Sequence, residues 1–286
     1  MTKQVKIIEC PRDAMQGIKS HFIATDAKAK YINALLRVGF DTIDFGSFVS
    51  PKAIPQMHDT AAVLSKLDLS KTVSKLLAIV ANVRGAKDAS VFEEIDYLGY
   101  PFSISENFQM RNTGKTIKQS IGILEELLNI ASTTNKKVVA YLSMGFGNPY
   151  GDIWNVDVVA NWTEKLSSMG VEILSLSDTV GVADGKTISY LFKNLIPLYP
   201  KIEFGAHLHT TPTTWHEKVD AAFTAGCMRF DGAIKGFGGC PMAKDELTGN
   251  MPTEKLLSYF TQQKANTNLS AMSFESAYNE ALDVFY

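Results

Sequence analysis

Val5-Lys6-Ile7-Ile8-Glu9-Cys10-Pro11-Arg12-Asp13 is the stretch whose reading decides the fold. An apolar, β-branched run reads as a buried strand, and Pro11 ends it. A doubly wound dinucleotide-binding sheet would continue here into a glycine-rich phosphate loop, whereas this chain turns on Cys-Pro-Arg-Asp. Outward from it, short apolar runs alternate with stretches of helical period. Strands are expected at Val5 to Cys10, Thr42 to Ser47, Lys75 to Asn82, Tyr100 to Ser105, Lys137 to Met144, Glu172 to Asp178, Ile202 to His209 and Met228 to Ile234. Between them, Ile117, Ile121, Leu124, Leu128 and Ala131 mark one face of a helix from Thr116 to Ala131. Gly39, Gly99, Gly170 and Gly226 each precede an apolar residue before an even-numbered strand. They read as left-handed helix caps in a repeat of two βα pairs. Eight βα units in one chain predict a TIM (β/α)8 barrel of the α/β class. The tail beyond residue 253 supplies the eighth helix and a short C-terminal helical extension.

No linker, low-complexity segment or charge block interrupts the 286 residues, so 1-286 reads as a single catalytic domain. A hydrophobic content of 45% with 20% charged residues is that of a globular protein. The net charge of −2 offers no basic field for nucleic acid or an anionic membrane, and any anionic ligand must be met locally. The start of the chain is too soon broken for a signal peptide, and no apolar run approaches membrane-spanning length. Cys10, Cys227 and Cys240 are scattered and odd in number, as for free thiols in the reducing cytoplasm. Cys10 and Cys227, in apolar strand contexts, read as core.

Catalytic groups of such a barrel lie at the C-terminal ends of its strands. Polar residues crowd those ends: Arg12 and Asp13 after the first strand, Asp44 on the second, Asp178 on the sixth, His207 and His209 on the seventh. Side chains two apart on a strand point to one side, so both histidines can reach one ion. Imidazole with carboxylate suits Mg²⁺, Mn²⁺, Co²⁺ or Zn²⁺, and Asp13 at the same mouth favours a metal site over a structural histidine pair. Asp178 reads either as part of that site or as a solvated cap of its own loop. Arg12 beside a cation reads as an oxyanion donor. Gly236-Phe-Gly-Gly-Cys-Pro241 has the composition of a mobile lid, and a cysteine at its tip would be enclosed on closure.

Cys10-Pro-Arg-Asp-Ala-Met-Gln16, Ser47-Phe-Val-Ser-Pro-Lys52 with Pro55-Gln-Met57, Ser177-Asp-Thr-Val-Gly181, His207-Leu-His209 and Gly236-Phe-Gly-Gly-Cys-Pro241 ending in Gly249-Asn250 together resemble the hydroxymethylglutaryl-CoA lyases, within the DRE-TIM metallolyases. The resemblance runs from about residue 5 to 260. The first and third motifs are shared with isopropylmalate and homocitrate synthases; the second and the glycine-cysteine loop point to the lyase. The resemblance implies a divalent ion, Mg²⁺ or Mn²⁺, held by Asp13, His207, His209 and Asn250. It implies an acyl-CoA substrate whose thioester carbonyl faces Arg12, and a proton supplied by Cys240 from the lid. Gln16, Lys19 and Asp178 match other positions of the family's site. The chain departs from the family at Asp44, where a glutamate is usual, at Thr210, usually an aspartate, and at Val139, which aligns with an arginine.

The activity expected is retro-Claisen cleavage of 3-hydroxy-3-methylglutaryl-CoA, as in leucine degradation, with Asp13 or Asp178 as base. A Claisen-type condensing enzyme of the same fold and a non-catalytic metal-binding barrel are the alternatives. Self-association to a homo-oligomer is left open.

Overall fold

The computed structural model describes residues 4–239 and 248–286. Strands β1 (Lys6–Glu9), β2 (Thr42–Ser47), β3 (Lys75–Ile79), β4 (Ile95–Ser103), β5 (Lys137–Ser143), β6 (Ile173–Asp178), β7 (Glu203–Thr210) and β8 (Arg229–Gly232) pair in parallel in chain order. Pairing of β1 with β8 closes them into a TIM barrel. A two-residue strand, β9 (Gly249–Asn250), runs antiparallel beside the end of β7. The helices are α1 (Pro11–Gln16), α2 (Thr25–Leu36), α3 (Thr60–Leu64), α4 (Val83–Ser90), α5 (Glu106–Thr113), α6 (Ile117–Thr133), α7 (Val156–Ser168), α8 (Gly185–Leu198), α9 (Trp215–Thr224), α10 (Thr253–Gln262) and α11 (Ala271–Phe285). Among the described residues no helix is long and apolar enough to cross a membrane.

The strands are apolar on both faces because both faces are covered. Leu77, Ile79, Tyr97, Val139, Tyr141 and Ile173 pack inside the barrel, while the outward side chains join the helices in the larger core. Helices start where a short polar side chain takes up a free backbone N–H, as Asn82, Asn155 and Asp184 do for α4, α7 and α8, and Thr116 with Gln119 forms a reciprocal cap on α6. The C-terminal extension closes on the start of the chain, with Phe285 edge-on to Tyr31 and Phe274 edge-on to Phe40.

Three of the four expected glycine caps have the left-handed backbone: Gly39 at φ 90°, Gly170 at 99° and Gly226 at 102°. Gly99 does not. It lies inside β4, which begins at Ile95 and not at Tyr100. A Cβ there would come within 2.6 Å of Ile79 and 2.8 Å of Leu77, so glycine serves close packing inside the barrel and no chain turn. The repeat of two βα pairs therefore rests on three positions. On α6 the fully covered stripe is Ser120, Leu124, Leu127 and Ala131, rotated from the expected face. The Ser120 hydroxyl is buried by accepting from Gln109 Nε2 at 2.8 Å, which an apolar pattern does not register.

Glu9 faces the helices from β1 and is fully buried. Its Oε1 accepts from the Ile234 amide at 2.9 Å and its Oε2 from the Thr253 hydroxyl at 2.6 Å. Burial pushes its carboxyl up to about 8; Thr253 and Ile234 pull the other way, and Glu254 adds to the rise. The folded chain thus binds this proton more tightly than the unfolded one. The stability it contributes is complete below the ordinary carboxylate range and is lost as pH rises through about 8. Glu9→Gln, which can keep both hydrogen bonds, should flatten the decline of Tm between about pH 5 and about pH 9. Parallel declines in the two proteins would show that Glu9 does not titrate in this window.

Candidate active site and metal centre

Pro11 starts α1 immediately after β1, so that Arg12 and Asp13 stand on a single helical turn over the barrel mouth, not on the strand itself. Both are buried. Asp13 is the hub. Its Oδ1 accepts from Arg12 Nη1 at 2.9 Å and Gln16 Nε2 at 2.6 Å, and its Oδ2 accepts from Asn250 Nδ2 at 2.7 Å. Arg12 also grips Asp44, on β2, with Nε at 3.0 to 3.1 Å and with Nη2. Burial works against the guanidinium charge, yet Asp44 and Asp13 more than offset it and hold Arg12 protonated. Burial raises the Asp44 carboxyl to about 6 against the pull of Arg12. Burial also opposes ionisation of Asp13, but Arg12, His207, His209 and Asn250 bring it below its ordinary value.

Asp13, His207 and His209 offer ligand atoms that all lie within 4.8 Å of one another. His209 Nδ1 bonds the Thr179 carbonyl at 2.8 Å, leaving Nε2 buried without a hydrogen-bond partner among the described residues. A buried imidazole nitrogen so left carries a free lone pair, as a metal ligand requires. Burial, with His207 beside it, lowers the His209 pKa to about 4, which keeps the ring neutral. His207 Nδ1 lies 3.0 Å from Asp231 Oδ2 on β8. Burial works against its protonation, but Asp231 and Asp13 raise its pKa above the ordinary histidine value. The donor set fits a divalent ion, and His209 is buried at 3% exposure.

The structure brings Arg12, Asp13, Gln16, Asp44, His207, His209 and Asn250 together. Asn250 arrives through β9, paired directly with His209. Asp178 ends β6 but turns to α9: Lys218 Nζ sits 2.6 Å from its Oδ2, and the Ala183 amide donates to its Oδ1 at 3.1 Å. Lys218 also donates to the His209 carbonyl at 2.7 Å, which ties Asp178 to the histidine strand. Lys19 is exposed beyond α1, and among the described residues no hydrogen bond joins it to the cluster. Cys240 lies outside the described residues. The part of its loop that is described packs tightly: Gly238, at φ 83°, lies against α1 so closely that a Cβ would come within 2.7 Å of the Asp13 carbonyl oxygen. Val139 sits in the inner apolar cluster, and Thr210 Oγ1 reaches the Asn250 carbonyl at 3.4 Å.

Sequence reasoning missed Asp231 and Lys218. Asp231 had a signal, since Arg229 and Asp231 put two charges two apart on an otherwise apolar strand. Lys218 had none, because a lysine on an amphipathic helix reads as solvated.

The hydroxymethylglutaryl-CoA lyase of Bacillus subtilis is 33% identical over 279 residues, covering 96% of this chain and 91% of that one. The crystal structure of a Bacillus subtilis HMG-CoA lyase, 33% identical, superposes with a TM-score of 0.91, covering 98% of this chain and 93% of that one. An HMG-CoA lyase of Acinetobacter baumannii, in complex with coenzyme A and 3-methylmalate, is 27% identical and superposes at 0.89, covering 98% of this chain and 91% of that one. The HMGL-like family's sequence model matches residues 4–280. With that match running through every element that carries Asp13, His207, His209 and Asn250, the chain belongs to the HMGL-like family.

Proposed function

We propose that this protein cleaves 3-hydroxy-3-methylglutaryl-CoA to acetoacetate and acetyl-CoA by a divalent-metal-dependent retro-Claisen reaction. The observation that carries the reading is the convergence of Asp13, His207 and His209 beside a buried arginine, in a chain whose relatives are named for this activity. Asp13, His207, His209 and Asn250 would hold the ion, Mg²⁺ or Mn²⁺. When bound, it supplies Lewis acidity that eases loss of the substrate's tertiary hydroxyl proton.

The remaining chemistry belongs to the chain. Asp13 or Asp178 accepts the hydroxyl proton. Asp13 is held below the ordinary carboxylate range by Arg12 and the histidines against burial, which suits a ligand more than a base, whereas Asp178 is turned to Lys218 and the Ala183 amide and must exchange one of those contacts for the substrate hydroxyl to act as base. Carbon–carbon cleavage releases acetoacetate and leaves acetyl-CoA as its enolate. Arg12, fixed by Asp44 and Asp13, has N–H bonds on Nη1 and Nη2 left to meet the enolate oxygen. Gln16 and Lys19 serve as substrate contacts, as the family resemblance implies. Cys240, on a lid over residues 236–241 of one catalytic domain, protonates the enolate carbon. We also read the protein as cytoplasmic and its reaction as a step of leucine degradation. The buried free thiols of Cys10 and Cys227 support a reducing compartment.

Acetoacetate release from hydroxymethylglutaryl-CoA by the purified protein, with and without Mg²⁺ or Mn²⁺, tests the proposal. Release that depends on the ion is expected. Condensation of acetyl-CoA with a 2-oxo acid instead, or ion binding without turnover, would replace it by one of the rival readings.

A further inference from the structure

Beneath His207 a group of buried polar side chains interrupts the apolar inside of the barrel. Arg229 and Asp231 are two apart on β8 and so face the same way, and both are almost fully buried. Arg229 is anchored at the N-terminal end of the barrel, where its Nη1 meets Glu203 at 3.1 Å and Asp41 at 3.5 Å. Its Nε and Nη2 have no hydrogen-bond partner among the described residues. The same holds for Asp231 Oδ1, for Tyr141 Oη on β5 and for Ser175 Oγ on β6. These groups converge. At Gly205 a Cβ would lie 3.1 Å from Ser175 Oγ and 3.3 Å from Arg229 Cδ, and the Tyr141 ring stands edge-on to His207 at 5.6 Å. Asp231 Oδ2, the other oxygen of the same carboxylate, is the one that meets His207 Nδ1.

Buried donors and acceptors left unpaired are costly, and small polar occupants that bridge several of them remove that cost. Three donor side chains and one carboxylate oxygen buried in the same part of the barrel interior make such a bridge chemically balanced, since a water can accept from Arg229, Tyr141 or Ser175 and donate to Asp231. We propose that Arg229 is a positioning residue for the ion site: through water enclosed with Tyr141 and Ser175 it fixes the Asp231 carboxylate, which in turn fixes the His207 ring. This rests on reading Asp13, His207 and His209 as that ion site. Arg229 itself touches neither substrate nor ion.

Titration calorimetry with Mn²⁺ on the full chain, together with the visible spectrum of bound Co²⁺, tests the link without relying on activity. Asp231→Asn and Arg229→Met should each weaken Mn²⁺ binding by ~10- to 100-fold, the usual cost of losing an outer partner of a metal ligand. The double variant should be within about twofold of the weaker single variant, because both act through one connection. Independent, multiplying losses would overturn the proposal, as would an Arg229→Met protein that folds and binds Mn²⁺ like the parent. Should Arg229→Met fail to fold, Tyr141→Phe combined with Ser175→Ala removes two of the groups that hold the water in place while leaving every ion pair intact. Weakened Mn²⁺ binding and an altered Co²⁺ spectrum in a protein that still folds are then expected, and parental behaviour overturns the proposal. Mn²⁺ uptake absent from the parent, or surviving His209→Ala unchanged, would instead overturn the ion-site reading and the proposal with it.

Discussion

His209→Ala is expected to abolish turnover at ordinary ion concentrations and to weaken Mn²⁺ binding by more than the ~10- to 100-fold that loss of an outer partner costs. The two histidines should part company in stability. His209 spends its Nδ1 on the Thr179 carbonyl and leaves Nε2 unpartnered, so alanine deletes an unsatisfied buried atom along with a single hydrogen bond. His207 is the protein partner of the Asp231 carboxylate, whose other oxygen already has none among the described residues. His207→Ala strands a buried carboxylate and should cost about 1–3 kcal/mol more, an effect read directly in Tm. Calorimetric titration with Mn²⁺, kcat and thermal melts of both variants check this. Full activity in either variant would end the metal assignment, and equal melting temperatures would end the distinction drawn between the two rings.

The sequence made the barrel legible because its code is local. Alternating strand and helix periods, and glycines such as Gly39, Gly170 and Gly226 whose positive φ is needed where a helix ends, can be read in short windows. Gly99 shows the limit: the same residue before the same kind of apolar run serves packing against Ile79 and Leu77, contacts that exist only once β3 and β4 are side by side. The site divides the same way. His207 and His209 declare themselves through strand alternation, and Arg12 and Asp13 through the strand they follow. Asn250 joins them by antiparallel pairing of a two-residue strand with β7, forty residues away in the chain, and no spacing rule reports that. Its place could be expected only from the resemblance. The bond from Lys218 to Asp178 is likewise a tertiary fact written in a residue whose own neighbourhood looks solvated.

Arg12→Gln is expected to lower kcat by ~10²- to 10³-fold, with a smaller change in KM, as when one oxyanion donor is lost. The geometry adds a complication that the sequence did not show. Arg12 is buried between two carboxylates, so glutamine leaves Asp44 and Asp13 facing each other without their cation. Breaking such a pair from one side destabilises by about 3–5 kcal/mol, and a fall in rate could then be mistaken for a fall in folded protein. The two effects separate in a double variant. Asp44→Asn removes the stranded charge, so Arg12→Gln with Asp44→Asn should recover most of the lost Tm, because the buried charge and not the missing contact dominates the penalty. The rate should stay low, because nothing in the pair of amides carries the positive charge that the enolate oxygen needs. Recovery of kcat along with Tm would mean that Arg12 acts only by holding the fold. A rise in KM at unchanged kcat would make it a substrate-binding group and no oxyanion donor.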